Sequence, residues 1–317
     1  MQRPRHLTVV IAIVFLGNGV DRPAAQALDD PQAFSSARFE SENLSLSEWT
    51  TTRMLRAAPV RLPTIDLAVV RGGAPFEESD SGPDARGESP ASDRGLNRFS
   101  GDVRQKPLIW AGKLFFGNGS YCSAQFITDQ VILTAAHCVR SGKTGRFYDH
   151  FLFALQYNDG KWSNRYGTRC AATHNGYIDP GVKNDELITD KQAPWDYAML
   201  LIAGNTTTGH FGYQWGWNGQ YRSAVRIGYP SGLIRGQVIQ VDRGPLSIRG
   251  GVVELQHGVR ANPHGSSGGA WIGDYNGGDH AISVVSFSQD NRPGVAFGPY
   301  FRAPFKDLLN YTQRGCR

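Results

Sequence analysis

Short apolar runs separated by glycine and asparagine recur along the chain from Leu108 onward. The first half of this region holds four of them, at residues 113–116, 121–127, 131–134 and 151–157. Asn118 and Gly119 between the first two are typical of a hairpin turn. The second half repeats the pattern, at residues 224–229, 236–241, 251–255, 281–287 and 294–297. The pattern predicts an antiparallel, all-β body.

One helix is expected near the end of the chain. Pro304 suits the first turn of a helix, and Phe305, Leu308 and Leu309 fall on one helical face. These positions predict a helix over residues 304–312.

The first 27 residues have the pattern of a secretory signal peptide. Two arginines lie within residues 1–6, an apolar run follows at residues 7–17, and Ala25 and Ala27 supply the small residues of a cleavage site after Ala27. No later stretch approaches the ~20 apolar residues that a membrane helix requires. We therefore expect a secreted or periplasmic protein with no membrane attachment after cleavage.

Residues 28–105 contain no lysine and show little periodicity. The tract from Arg71 to Arg98 is dominated by small, polar and charged residues, which cannot bury enough apolar surface to order the tract by itself. We interpret residues 28–105 as a propeptide of a zymogen rather than as a permanent flexible tail. Three arginines are candidate processing sites: Arg94, Arg98 and Arg104.

Composition and charge narrow the class of protein. A chain of 317 residues with 40% hydrophobic residues and 4 cysteines is neither disordered, nor collagen, nor a disulfide-rich miniprotein. Residues 28–100 hold 8 basic and 12 acidic residues, and residues 101–317 hold 22 and 15. The basic body lacks a lysine- or arginine-dense stripe and the signature of a nucleic-acid module. We therefore expect no nucleic-acid partner.

Four cysteines in an exported protein predict two disulfides. Cys122 and Cys138 flank two predicted strands, and a bridge across a loop of that size contributes about 3 kcal/mol in the chain-entropy model. Cys170 and Cys316 then pair by elimination, although either could remain free.

Three segments carry candidate chemistry: Thr-Ala-Ala-His-Cys at residues 134–138, Asp-Tyr-Ala-Met-Leu-Leu at 196–201 and Gly-Ser-Ser-Gly-Gly-Ala at 265–270. Together they resemble the trypsin/chymotrypsin-like serine peptidases. In that family a histidine beside a disulfide, an aspartate before an apolar strand and a serine in a glycine-rich turn follow one another in this order. The resemblance covers roughly residues 108–311.

The resemblance implies a peptidase domain over residues 106–317 with two antiparallel six-stranded β-barrels. They would span about 106–205 and about 212–301, with the helix behind them and the active site in the cleft between them. No metal or organic cofactor is implied, and we expect a monomer that acts on protein or peptide substrates.

The catalytic roles follow from the chemistry of acyl transfer. A serine hydroxyl is a weak nucleophile, so His137 would take the proton of Ser267 and later protonate the leaving amine. Asp196 would fix the tautomer of His137 and stabilise the imidazolium. The N–H groups of Gly265 and Ser267 would stabilise the developing oxyanion.

Rival residues exist for two of these roles. Asp149 and Asp185 also lie between the histidine and the serine, but no apolar strand follows either of them. Ser266 is the rival nucleophile, but only Ser267 is followed directly by two glycines.

The walls of the specificity pocket are also suggested by the resemblance. Residues 284–288 resemble the family's pocket-wall strand, and residues 292–295 resemble the opposite wall. The candidate substrate-binding residues are Ala261, Asn262, His264, Ser286, Phe287, Ser288 and Gly294.

Residues 228–230 and the surroundings of the triad resemble the bacterial glutamyl-endopeptidase-like (V8-like) branch more than the digestive trypsins.

Several departures from the family's pattern affect activation and specificity. Ser266 replaces the trypsin aspartate, and no Ile-Val-Gly-Gly start is present, so the trypsin activation switch is unavailable. Ala261 at the pocket base lacks a carboxylate, so no strong preference for Arg or Lys is expected. Val285 stands where the glutamyl branch has a histidine, so Glu specificity is unsupported.

Two further features have structural interpretations. An aromatic run spans residues 211–217 and continues at Tyr221; packing is favoured over a glycan or peptide platform. Five other histidines show no metal-ligand spacing with Cys, Asp or Glu, and we interpret them as surface or structural residues: His150, His174, His210, His257 and His280.

These observations favour a secreted serine endopeptidase that works through an acyl-enzyme intermediate. One alternative is a catalytically silent binding protein on the same scaffold. The other is a serine esterase, because Gly265 to Gly269 also fit the G-x-S-x-G elbow. That elbow requires the catalytic histidine after the serine, where only His280 follows.

Overall fold

The structure, a computed structural model, describes residues 33–39, 46–65, 98–117, 119–273 and 279–317. Four short strands and one helix come first in the chain: β1 (Phe34–Arg38), α1 (Thr51–Arg56), β2 (Ala58–Pro59), β3 (Thr64–Ile65) and β4 (Arg98–Ser100).

The first barrel is built from six antiparallel strands: β5 (Ala111–Phe116), β6 (Ser120–Phe126), β7 (Val131–Thr134), β8 (Leu152–Leu155), β9 (Asn164–His174) and β11 (Ala198–Ile202). The short β10 (Leu187–Ile188) lies between the last two in sequence. The strands follow the order β9-β11-β7-β6-β5-β8, and β8 pairs back with β9 to close the ring. Inside, the ring of Phe126 packs edge-on against Phe153 and Tyr166.

The second half holds seven strands: β12 (Gly212–Tyr213), β13 (Ser223–Gly228), β14 (Gln240–Arg249), β15 (Val252–Gln256), β16 (Ala270–Gly273), β17 (His280–Val284) and β18 (Val295–Pro299). Six of them run in the order β17-β16-β13-β14-β15-β18, and β12 adds to the outside of β17. A bridge between Phe287 and Phe297, whose rings stack at 4.9 Å, joins the two ends of this path. The prediction of an all-β, two-barrel fold is confirmed.

The C-terminal helix is also confirmed, as α2 (Ala303–Gln313). It buries Phe305, Leu308 and Leu309 on one face, and it packs against β9, β11 and β7 of the first barrel. The last segment of the chain thus returns from the second barrel to the first.

Both expected disulfides are present. Cys122 on β6 is bonded to Cys138 just beyond β7, and Cys170 on β9 is bonded to Cys316 just beyond α2. No helix in the described part of the chain combines the length and the apolar character needed to cross a membrane.

The N-terminal strands lie on the barrels. β1 pairs with β9 and β4 pairs with β14, both antiparallel, whereas β2 runs parallel to β6 and β3 runs parallel to β10. Trp49 and Met54 are fully buried and belong to the main hydrophobic cluster of the chain, which includes Phe115 of β5. The low periodicity of this region does not reveal such structure, because its segments bury their apolar side chains against the barrels rather than against each other.

The removal of residues 28–105 as a propeptide stays a prediction. Of its candidate processing sites, Arg98 begins β4, Arg104 is exposed and Arg94 lies outside the described residues. The signal peptide and residues 71–97 also lie outside them.

The aromatic run largely packs, as favoured: Phe211, Trp217 and Tyr221 are buried, while Trp215 is exposed.

Candidate active site

His137 and Asp196 are brought together by the pairing of β7 with β11. Thr134 at the end of β7 lies opposite Ala198 at the start of β11, so the residues just beyond them meet at the edge of the barrel. Nδ1 of His137 lies 2.8 Å from Oδ2 of Asp196, and the backbone N–H of His137 donates to Oδ1 at 2.9 Å. Because an ionised carboxylate only accepts hydrogen bonds, Nδ1 carries the proton and Nε2 is left as the basic nitrogen.

Asp196 accepts a third hydrogen bond, from a second residue. The hydroxyl of Ser286 donates to Oδ2 of Asp196 at 2.5 Å, and both residues are fully buried. The sequence suggested Ser286 only as part of the pocket wall, and no local signal in the chain reveals its bond to a residue 90 positions away. The carboxylate therefore has a fixed orientation between the two barrels.

Ser267 lies in a glycine turn that packs against the segment leading to His137. A Cβ added at Gly268 would lie 2.0 Å from Oγ1 of Thr134 and 2.8 Å from the backbone nitrogen of Ala135, so only glycine fits there. Gly268 also has a φ of +80°, in the left-handed region that favours glycine. The carbonyl of Ser267 accepts a hydrogen bond from the N–H of Ser123 at 2.8 Å.

The side chain of Ser267 is fully buried, and its Oγ makes no hydrogen bond within the described part of the chain. The same is true of Nε2 of His137. The rival Ser266 differs, because its hydroxyl donates to the carbonyl of Pro263 at 2.6 Å. The free hydroxyl and the free imidazole nitrogen are thus the two atoms that the sequence assigns to proton transfer.

Gly265 has a φ of +88° and lies against the ring of Tyr121, where an added Cβ would be 2.4 Å from Cε2. Its carbonyl accepts from the hydroxyl of Ser123 at 2.9 Å. Its N–H, the expected oxyanion donor, donates to the carbonyl of Val60 at 3.0 Å.

Two of the suggested pocket residues contact the N-terminal region. Nδ1 of His264 accepts from the N–H of Leu62 at 3.1 Å, and the N–H of Ser288 donates to the carbonyl of Pro63 at 2.9 Å. Burial, assisted by the nearby Arg61 guanidinium, lowers the pKa of His264, which favours the neutral ring that can accept this bond.

The remaining suggested pocket residues have mainly backbone or packing contacts. Phe287 is buried against Phe297, and the carbonyl of Gly294 accepts from the N–H groups at residues 257 and 258. Asn262 is exposed and accepts from the N–H of His264, while Ala261 is half-buried.

The rival acids have other partners. Asp185 accepts a hydrogen bond from the hydroxyl of Ser141, and the exposed Asp149 pairs with the neighbouring His150. One group in the described chain has metal-ligand spacing: Cys122, His137 and Cys138. The two sulfur atoms are bonded to each other, so this group offers no thiolate to a metal.

Two antiparallel barrels, with His137 and Asp196 on the first and Ser267 on the second, define a chymotrypsin-like fold. The family model described as Trypsin matches residues 99–309, and the chain belongs to that family. No curated protein sequence shows a significant match to the chain.

Three solved structures share the fold. The protease Anisep from Arthrobacter nicotinovorans is 19% identical with a TM-score of 0.55, over 67% of this chain and 97% of that one. The thermostable serine protease AL20 from an extremophilic microorganism is 22% identical with a TM-score of 0.54, over 65% and 97%. A Glu endopeptidase in complex with MPD is 20% identical with a TM-score of 0.57, over 68% of this chain and 96% of that one.

Proposed function

We propose that this protein is a secreted serine endopeptidase that uses Ser267, His137 and Asp196. The observation that carries the proposal is the double hydrogen bond from His137 to Asp196, at 2.8 and 2.9 Å, which fixes the imidazole and leaves Nε2 free. Membership of the trypsin family and the two disulfides support a peptidase that works outside the reducing cytoplasm.

The reaction begins when Nε2 of His137 takes the proton of Ser267 as Oγ bonds to the scissile carbonyl carbon. The N–H groups of Gly265 and Ser267 stabilise the resulting oxyanion, and each such donor contributes about 10²–10³ in kcat. The C–N bond then breaks, and His137 gives its proton to the leaving amine. Water hydrolyses the acyl-enzyme with His137 again as the base.

The decisive experiment is casein hydrolysis by the secreted protein beside its Ser267→Ala variant, with N-terminal sequencing of both. In other serine proteases, replacing the nucleophile costs about 10⁶ in kcat. Ser266→Ala is the matched control, because its hydroxyl already donates to Pro263, and it should retain activity within about tenfold.

If none of the three proteins hydrolyses casein although all are folded, a fluorophosphonate probe distinguishes the remaining explanations. Labelling of the wild type that is lost in Ser267→Ala indicates a peptidase with a narrow substrate. A folded protein freed of residues 28–105 that the probe never labels would instead be the silent binding protein.

A further inference from the structure

We infer that residues 58–65, which we call the cleft segment, are a built-in inhibitor that crosses the active site in the direction opposite to a substrate. Leu62 of this segment fills an apolar specificity pocket. The inference rests on the proposed function, because it uses the roles proposed there for Gly265 and His137.

The cleft segment enters along the first barrel. Ala58 and Pro59 run parallel to β6, opposite Ser120 and Tyr121. The N–H of Val60 donates to the carbonyl of Tyr121 at 3.0 Å. The segment thus reaches the active site as an added strand whose backbone polar groups are paired with the enzyme.

At the centre, the cleft segment occupies the proposed oxyanion site. The carbonyl of Val60 accepts from the N–H of Gly265 at 3.0 Å, the geometry that a substrate carbonyl would need. Ser267 beside it is fully buried. A substrate carbonyl cannot reach this donor while Val60 is in place.

The cleft segment leaves along the second barrel. Leu62 donates its N–H to His264, Pro63 accepts from Ser288, and Thr64 forms a parallel bridge with Ser288. Its last two residues form β3, which pairs with β10, in the stretch between β9 and β11 of the first half of the chain. The segment therefore contacts both barrels on either side of Ser267.

Leu62 identifies the specificity pocket. Its side chain is 3% exposed and belongs to an apolar cluster that includes Val285 and Ala296. Its N–H donates to His264, and the next residue, Pro63, accepts from Ser288; both partners are candidate substrate-binding residues of the sequence analysis. A pocket that buries a leucine beside a valine favours a branched apolar side chain and disfavours a charged one.

The direction of the chain explains why the cleft segment is not a substrate. Because His137 must protonate the leaving amine, the residues after the scissile bond have to lie on the first-barrel side, with the acyl residues along the second barrel. The cleft segment runs the other way, from Tyr121 at Val60 to Ser288 at Pro63. The nitrogen that follows the Val60 carbonyl consequently points away from His137.

An upstream anchor holds the segment in this position. Trp49 is fully buried, its ring lies 5.1 Å from that of Phe115, and its Nε1 donates to the carbonyl of His150 at 2.7 Å. The guanidinium of Arg53 covers the Trp49 ring at 4.3 Å and donates to the carbonyl of Gly117. Only a few residues separate this anchor from Val60, so the approach of the segment is fixed.

The test uses the full chain with Leu62→Glu, which places a charge in the apolar pocket, and compares fluorophosphonate labelling rates with the wild type. The matched control is Leu55→Glu, the same substitution at a leucine of α1 that is 44% exposed. We expect Leu62→Glu to label at least about tenfold faster and Leu55→Glu to label like the wild type, since labelling follows the fraction of open cleft. Val60→Pro, which removes the N–H bonded to Tyr121 without burying a charge, should also accelerate labelling.

A second measurement does not depend on activity. In a Ser267→Ala background, amide hydrogen exchange at Gly265 and Ser288 should be slow in the wild-type segment and in Leu55→Glu, and fast in Leu62→Glu. Fast exchange with the wild-type segment would overturn the inference whatever the enzyme does.

The two readouts separate the two proposals. Equal labelling of wild type and Leu62→Glu overturns the inhibitor and leaves the peptidase intact. Absence of labelling in every variant, together with the expected exchange pattern, overturns the peptidase while supporting occupation of the cleft.

Direction and pocket are tested on the Leu62→Glu protein with a synthetic peptide of residues 57–65. We expect the peptide to inhibit without being cleaved, and its Leu62→Glu version to inhibit at least about tenfold less. Cleavage of the peptide would contradict the reversed direction. A substrate-library profile dominated by Glu, Arg or Lys before the scissile bond, instead of leucine-like residues, would contradict the pocket assignment.

Discussion

The two barrels share a plan but are held together differently. In the first barrel β8 pairs along its length with β9, and both disulfides begin on strands of this barrel. The second barrel contains no cysteine, and its path from β17 to β18 is joined by the bridge between Phe287 and Phe297. The half that presents His137 and Asp196 is cross-linked, whereas the half that presents Ser267 and the pocket relies on noncovalent contacts, which include the buried ion pair between Arg226 and Asp242.

This division suits the two tasks of the site. In the proposed mechanism the base and its carboxylate need one fixed geometry, because an imidazole in the wrong tautomer cannot accept the serine proton. The pocket and the oxyanion donor, by contrast, have to release one chain and accept another. The cross-linked barrel thus carries the part that must not move, and the second barrel carries the part that exchanges partners.

The largest expected effect comes from breaking the fixed geometry of the first barrel. Asp196→Asn should lower kcat by about 10⁴, because an amide can hold His137 in the unproductive tautomer. The measurement is the kcat for a peptide substrate in an open-cleft protein such as Leu62→Glu. Asp185→Asn is the control, since Asp185 bonds Ser141 rather than His137. Equal losses in both variants would contradict the role of Asp196.

Without its disulfides, the first barrel should be held together by noncovalent contacts, as the second barrel is. In the chain-entropy model, the bond between Cys170 and Cys316, 146 residues apart, contributes about 5 kcal/mol, and the bond between Cys122 and Cys138, 16 apart, contributes about 3 kcal/mol. Replacing each pair by alanine should therefore lower the free energy of unfolding in that order, as measured by urea denaturation. The reverse order would show that the native-state fit of each bond outweighs the entropy of its loop.

The third expected effect concerns the boundary between the barrels. Lys113 on β5 is fully buried, lies 3.7 Å from the centre of the Tyr121 ring and donates to the carbonyl of Gly236 in the second half of the chain. Burial lowers the pKa of Lys113 to about 7. Between pH 7 and the ordinary lysine range the unfolded chain binds one more proton than the folded chain, so stability rises with pH by about 1.4 kcal/mol per unit.

Lys113→Met should remove this rise, and the exposed Lys161→Met should retain it. Urea denaturation at a series of pH values from 7 to 10 gives the slope for each variant. A wild-type slope near zero would mean that the ring faces and the Gly236 carbonyl keep Lys113 charged throughout.

The sequence predicts the parts of this molecule whose signals are local. His137, Asp196 and Ser267 each lie in a short segment with its own pattern, and the strands show their own alternation. The helix is predicted within a residue of each end because Pro304 and its apolar face are adjacent in the chain.

Features that depend on contacts between residues far apart in the sequence cannot be predicted in this way. Ser286 follows a buried strand like many other serines, and only the folded chain brings it to Asp196. Lys113 lies in a hydrophobic run where a lysine normally indicates an exposed face. The strands β2 and β3 have two residues each and are too short to show any period. Their pairing partners are β6 and β10, which lie far away in the sequence.

Burial of Trp49 should make the fraction of active enzyme depend on protein concentration once the chain is cut. While the chain is intact, the cleft segment competes as an intramolecular ligand, so its inhibition does not depend on protein concentration. A cut between residues 65 and 98 removes the covalent connection but leaves Trp49 and Met54 buried in the main hydrophobic cluster. The severed piece then remains as a separate subunit that must dissociate, so the fraction of working enzyme rises on dilution and falls at high protein concentration.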